Sequence, residues 1–456
     1  MYFKRNIDHY LLEWKNSQRR KPLLVRGARQ VGKSSSIRHL GESFDYFVEI
    51  NFETRPEYRQ IFIDNKNVID IVSRLSLLAG IPIVENKTLL FLDEVQSCPE
   101  ALHCLWAFKE DMPNLHVVAA GSLLEFTLKK MPSFGVGRIR SVFMYPMSFD
   151  EFLYASGYGH WVEAKSKATY SSPLPPELHD ALVREFRSFL IVGGMPASVI
   201  AWIESHDYLQ CLEELEDIQQ TYYDDFAKYA EKIDPQLLRN TLCSVVMQIG
   251  SKFVYSKVDG GYRTEDVKRA LQMLSDAGIV KVVQHSAGNG LPLGAEINCK
   301  YKKYNYLDSG LLLRVLDLEL GSSQPLTEMI LIGAAEELVN KGKVTEMVAG
   351  WEILKSLSPR TSHDLYYWEN TSEGATSEVD YLISRDMIVI PVEVKAGVTG
   401  KMKSLRLFMR RKHLLLGKRC SLENFGVIEF TDSSDDVHPE ILKRIQIHPL
   451  YCLSTL

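Results

Sequence analysis

Residues 22–36 read PLLVRGARQVGKSSS. The apolar run PLLVR has the composition of a buried strand. Gly27-Ala28-Arg29-Gln30-Val31-Gly32-Lys33-Ser34 then follows the spacing G-x-x-x-x-G-K-[ST], and a helical pattern begins at its end. Glycines at these positions let successive backbone N–H groups turn inward onto phosphate oxygens, where a helix N-terminus adds its own positive field. Lys33 is expected to reach the terminal phosphates of a nucleotide and Ser34 to ligate Mg2+, with Ser35 completing the cradle.

The next informative stretch lies about sixty residues on. TLLFLDE (88–94) is an apolar strand that delivers Asp93 and Glu94 at its carboxyl end, where an open parallel sheet keeps its ligands. Asp93 suits a Mg2+ site and Glu94 the orientation of an attacking water. FDYFVEINFE (44–53), LHVVAAGS (115–122) and SVFMYP (141–146) are further strands of the buried type, alternating with helical stretches. That rhythm predicts an α/β core, a parallel sheet covered on both faces. Ser122 ends one strand and is a candidate γ-phosphate sensor. Arg138, before the last strand, is a candidate arginine finger acting on a neighbouring copy.

Around this core, Tyr2–Arg19 has near-helical apolar spacing and predicts a leading helix. Ser148-Phe-Asp-Glu151 has the form of a capping box. Residues 156–176 are turn-rich, and the first domain is expected to end there, at 160. A helical region follows to about 232, broken by GGMP (193–196). Residues 233–299 suggest a winged helix, and an α/β domain fills 300–456. The aromatic group Tyr222, Tyr223, Phe226 and Tyr229 reads as core. Histidines such as His39, His103 and His363 form no catalytic grouping.

Near the end, Glu378-Val-Asp380 is followed by Glu393-Val-Lys395, a D…E-x-K spacing. Asp380 and Glu393 on adjacent strands suit a shared Mg2+. Lys395, two residues from Glu393, shares its face of the strand and is placed to steady developing phosphorane charge. Glu346, on a preceding helix, is the supporting carboxylate. The basic stretch Lys401–Arg419, free of acidic residues, suits phosphate neutralisation or, equally, a solvated helix face.

The chain has 456 residues, 45% hydrophobic and 24% charged, with a formal charge of −5. This is ordinary globular composition for several domains, without a global pull toward nucleic acid or membrane. Seven dispersed cysteines fit free thiols in a reducing compartment. Neither a signal segment nor a spanning run is visible, so a cytoplasmic location is expected.

RGARQVGKS, LLFLDEVQ, AAGSLLEF, GRIRSVFMYPMSFDEFL, GGMP and KYNYLDSGLL together resemble a large prokaryotic family of AAA+-type P-loop ATPases. Its C-terminal domain, of unknown function, is similar to restriction endonucleases. The resemblance implies an AAA+ core, a helical lid, a winged helix and that C-terminal domain. The leading functional expectation is an ATP-driven switch or motor with a nucleic-acid-facing C-terminal half, working with ATP, Mg2+, DNA or RNA and other copies of itself. An ATP-gated nuclease and a nucleotide-stabilised protein scaffold remain the alternatives.

Overall fold

The structure is a computed structural model that describes residues 2–122, 124–128, 137–227, 233–316, 341–372, 377–397 and 402–456. Tyr229 and Lys401 lie outside that set. The chain divides into two compact units. The first holds Met1–Met147 with the short segments Asp276–Ile279 and Ser358–Ser362, and the second holds the remainder.

In the first unit, β1 (Leu23–Arg26), β2 (Tyr46–Asn51), β3 (Thr88–Asp93), β4 (His116–Ala120) and β5 (Arg140–Phe143) form a sheet in the order β2-β3-β4-β1-β5. Every neighbouring pair is parallel. All residues of β3 and β4 are buried, which is why their sequences run apolar without alternation. Each fully buried large apolar side chain there contributes roughly 1.5–3 kcal/mol. The helix Asn6–Asn16 turns Ile7, Tyr10, Leu11 and Trp14 inward, matching the leading-helix pattern.

The second unit opens with the helix Phe149–Ala155. Its capping box is formed: Ser148 N–H donates to Glu151 at 2.7 Å and Glu151 N–H to Ser148 Oγ at 3.3 Å. Two further helices, Pro176–Val192 and Pro196–Ser205, meet at the GGMP bend. Eight strands then make a mixed sheet: β6 (Val280–Ser286), β7 (Ile297–Tyr306), β8 (Leu365–Glu369), β9 (Glu378–Arg385), β10 (Ile388–Val394), β11 (Leu416–Ser421), β12 (Gly426–Phe430) and β13 (Lys443–Pro449). Their order is β12-β13-β11-β10-β9-β8-β6-β7.

Several expectations change here. The turn-rich segment 156–176 contains the helix Gly159–Lys167, pinned by buried Val162 and Lys165. Lys165 donates to the Tyr451 carbonyl at 2.6 Å and pairs with Asp150, a tertiary anchor that local periodicity does not reveal. The boundary expected at 160 falls inside this helix, and the first unit already ends at Met147. The boundary at 299 cuts β7. The β6–β7 hairpin is not a free-standing wing, because β6 pairs in parallel with β8 and joins the large sheet. The basic stretch is also divided. Lys403–Arg411 is a helix with Leu405, Phe408 and Met409 inward, whereas Lys418 and Arg419 lie in β11, each only 5% exposed.

Candidate functional site

The phosphate loop leaves β1 and enters the helix Lys33–Gly41. Gly32 caps that helix with φ 97°, in the left-handed region that favours glycine. At Gly27, with φ 151°, a Cβ would stand 2.1 Å from the Met144 carbonyl oxygen, so only glycine lets the backbone pass. The Lys33 ammonium is buried and donates to the carbonyls of Gly27 at 3.0 Å and Ala28 at 2.7 Å. Burial draws its pKa down to about 8, while the negative charges of Glu94 and Asp93 oppose the fall.

Opposite the loop, Ser34 Oγ lies 3.1 and 3.0 Å from the two oxygens of Asp93. A hydroxyl and a carboxylate facing each other beside an ammonium are the donor set that Mg2+–nucleotide needs. Asn51, paired in register with Asp93 on the adjacent strand, donates its amide to Asp93 Oδ2 at 3.2 Å. Burial and the nearby Glu94 charge push the Asp93 pKa upward.

Glu94 follows in a left-handed backbone conformation, φ 49°. Its carboxylate accepts from Gln96 Nε2 at 2.5 Å. Ser122 is buried, and among the described residues its Oγ has no hydrogen-bond partner. Arg29 pairs with Glu53 at 3.5 Å. Arg138 pairs with Glu110 at 2.7 Å and lies over the Trp106 ring, both charges about half exposed. The structure thus brings Lys33, Ser34, Asp93 and Glu94 together and leaves Arg138 in a surface ion pair.

Three supporting residues escaped the sequence reading. Asn51 and Gln96 hold the two acids; no motif announces Asn51, and Gln96 closes the stretch LLFLDEVQ without a role assigned to it. Arg5, from the start of the leading helix, is buried and donates to the carbonyls of Val31 and Tyr145, both at 2.8 Å. It therefore ties down the loop from beneath. Each hydrogen bond to a charged donor is worth about 1.5–3 kcal/mol. Arg5→Met is therefore expected to weaken nucleotide binding about tenfold, roughly 1.4 kcal/mol. Titration with a fluorescent ADP analogue reads this out, and an unchanged affinity would remove Arg5 from the site's support.

In the second unit a group of acids surrounds one lysine. Lys303, on β7, donates to Glu346 Oε1 at 2.8 Å and also contacts Glu378. Asp380 Oδ2 accepts from the Val394 N–H at 2.7 Å, across from β9 to β10. Lys395 donates to Glu393 Oε1 at 2.5 Å, leaving Glu393 Oε2 buried without a partner among the described residues. Burial pushes Glu346 up to about 8 and Glu393 up to about 7. For Glu346 the Lys303 charge opposes the rise, and for Glu393 the Asp380 charge adds to it. The expected Glu346, Asp380, Glu393 and Lys395 thus occur in one neighbourhood, to which the structure adds Glu378 and Lys303.

A family model described as an AAA domain matches residues 19–153. Models for two domains of unknown function, DUF8612 and DUF4143, match residues 183–322 and 341–436. No curated protein matches the sequence. Among solved structures, the Walker-type ATPase PABY2304 of Pyrococcus abyssi is similar at 15% identity and a TM-score of 0.44, covering 70% of this chain and 96% of that one. The Orc1 protein of Aeropyrum pernix in complex with DNA gives 13% identity and a TM-score of 0.29, covering 72% and 95%. The Hsp104–ADP complex of S. cerevisiae gives 10% and 0.28, covering 60% and 38%. At such TM-scores none of these structures bears on what this chain does. The match covers β1 to β5 with both the acidic and the phosphate-loop motifs, so residues 19–153 are similar to AAA domains, in a chain whose later part matches domains of unknown function.

Proposed function

We propose that the chain binds ATP with Mg2+ at Gly27–Ser35 and hydrolyses it, as a switch or motor acting on a nucleic-acid-facing C-terminal half. The observation that carries this reading is the meeting of Ser34 Oγ with both Asp93 oxygens, beside the Lys33 ammonium. Mg2+, when bound, supplies Lewis-acid charge to the phosphate oxygens. Lys33 leaves its loop carbonyls to engage the terminal phosphates, and the backbone N–H groups of the loop orient them. Glu94 positions the attacking water, and Ser122, whose hydroxyl has no partner among the described residues, would bond the γ-phosphate or that water. Arg138 would act on the nucleotide of a second copy, after releasing Glu110.

Support for a nucleic-acid face comes from the helix Lys403–Arg411. It buries Leu405, Phe408 and Met409 and carries Lys403, Arg406, Arg410 and Arg411. Arg410 is already paired with Asp432 at 2.9 Å, so this patch is only moderately free to contact phosphates. Among the described residues, no helix is long and apolar enough to cross a membrane.

Phosphate release by wild type and Lys33→Ala, with and without Mg2+, tests the reading. Loss of one preorganised charge at the transferring phosphate is expected to lower turnover about 100-fold. Undiminished turnover in Lys33→Ala would move the site elsewhere.

A second reading, an ATP-gated nuclease, draws on the buried Glu393 Oε2, which has no partner among the described residues, near Asp380 and Lys395. It requires Mg2+- or Mn2+-dependent cleavage of plasmid, single-stranded DNA or RNA. That cleavage disappears in Lys395→Ala while ATP turnover stays at the wild-type level. Cleavage that survives Lys395→Ala would exclude these residues.

A further inference from the structure

Lys303 has no counterpart in the motifs that mark the acidic cluster. Its side chain is 2% exposed, and its ammonium touches Glu346 and Glu378 together. Glu346, Glu378 and Asp380 each offer an oxygen, and these atoms lie within 4.8 Å of one another. Oxygens around one Mg2+ or Ca2+ stand about 2.0–2.6 Å from the ion, hence up to roughly 5 Å apart. The residues therefore fit a divalent cation. Independently, Glu393 is 5% exposed and lies in the field of Asp380, yet its Oε2 has no partner among the described residues. Fully ionised, Glu346, Glu378, Asp380 and Glu393 carry four negative charges against two positive ones on Lys303 and Lys395.

We propose that Lys303 is a built-in competitor for that ion: its ammonium holds Glu346 and Glu378 while the cation is absent and must leave them before both can ligate it. This rests on reading the cluster as a cation site. An ammonium and a divalent ion need the same carboxylate lone pairs and repel each other at contact distance, so they do not share the position. The strand position gives the competition a handle. Lys303 belongs to β7, at the edge of the sheet, whereas Glu378 and Asp380 belong to β9 and Glu346 to the helix Lys341–Lys355. Movement of the β6–β7 hairpin would thereby set cation affinity without altering a ligand.

Calorimetric titration of Mn2+ into nucleotide-free, full-length wild type, Lys303→Met, Lys303→Arg and Asp380→Asn tests this. The cluster's share of the heat is the part that Asp380→Asn removes. Lys303→Met is expected to bind at least tenfold more tightly than wild type, and Lys303→Arg no more tightly. Equal or weaker binding by Lys303→Met overturns the competition and makes Lys303 a brace for its carboxylates. Absence of any heat sensitive to Asp380→Asn, in every protein, instead overturns the cation-site reading beneath it. Amine labelling of the wild type, followed by mass spectrometry, needs no variant. Lys303 should become more reactive on adding Mn2+, and unchanged reactivity in protein that binds the ion would overturn the proposal.

Discussion

Glu94→Gln is expected to lower ATP turnover by about three orders of magnitude while leaving nucleotide affinity near that of wild type. A positioned general base contributes about 10²–10⁴-fold, and an amide of the same shape cannot accept the water's proton. Binding survives because the loop, Lys33, Ser34 and Asp93 hold the nucleotide without it. Residue 94 sits at φ 49°, and glutamine enters that left-handed conformation no more easily than glutamate, so the backbone is unaltered by the exchange. The Gln96 amide, which now donates to Glu94 Oε2, keeps a carbonyl oxygen to donate to. Phosphate release and binding of a fluorescent ATP analogue, measured on one preparation, separate the two effects. Retained turnover would assign the base to another group. Joint loss of binding and turnover would point to damage in the strand end.

The largest loss of stability is expected from Gly193→Ala. Gly193 has φ 74° and ψ −169°, a region open in practice to glycine alone, and it ends the helix Pro176–Val192. A Cβ there would meet Asp308 Oδ1 at 2.1 Å. Asp308 has little room to yield. It is buried, accepts from Gly194 N–H at 2.6 Å, and caps the helix Ser309–Val315 through Gly310 and Leu311. Burial raises its pKa, which these N–H donors and the Lys355 charge partly offset. Strain of about 1–3 kcal/mol and overpacking of about 1–3 kcal/mol give a cost of about 3 kcal/mol or more. Thermal unfolding should show an earlier transition for the second unit, and a shift of less than about 2 °C would contradict this account. The GGMP and KYNYLDSGLL motifs thus owe their residues to one buried carboxylate that two glycine-rich turns share.

The phosphate loop was readable in the chain because its chemistry restricts local choices. Gly27, Gly32, Lys33 and Ser34 must stand at fixed spacing, and the strand ending in Asp93 and Glu94 must be apolar throughout. The parallel sheet followed from the same runs. Arg5 and Asn51 act through contacts made across the fold, to a carbonyl or an acid on another element, and such partners leave no spacing behind, whereas Gln96 reaches Glu94 from only two residues away. In the C-terminal part, β9 and β10 showed themselves through alternation around the acids. β11 was hidden because Lys418 and Arg419 read as a solvated basic run, though both lie buried in the sheet. Lys303 escaped for a related reason. KYKKYNY offers neighbouring lysines, and only the antiparallel pairing of β6 with β7 decides which one faces the acids.

The pairing of β6 with β8 also bears on how the chain is made. The β6–β7 hairpin is complete at Tyr306 and β8 begins at Leu365, so a nascent hairpin waits while the intervening residues are synthesised. At about 5–20 residues per second the wait is on the order of 3–12 seconds. During that interval one side of β6 presents unpaired N–H and C=O groups, the kind of edge on which other chains add. Ribosome stalling before β8 emerges should therefore yield aggregation-prone intermediates that recruit holding chaperones, and release past Glu369 should end that exposure.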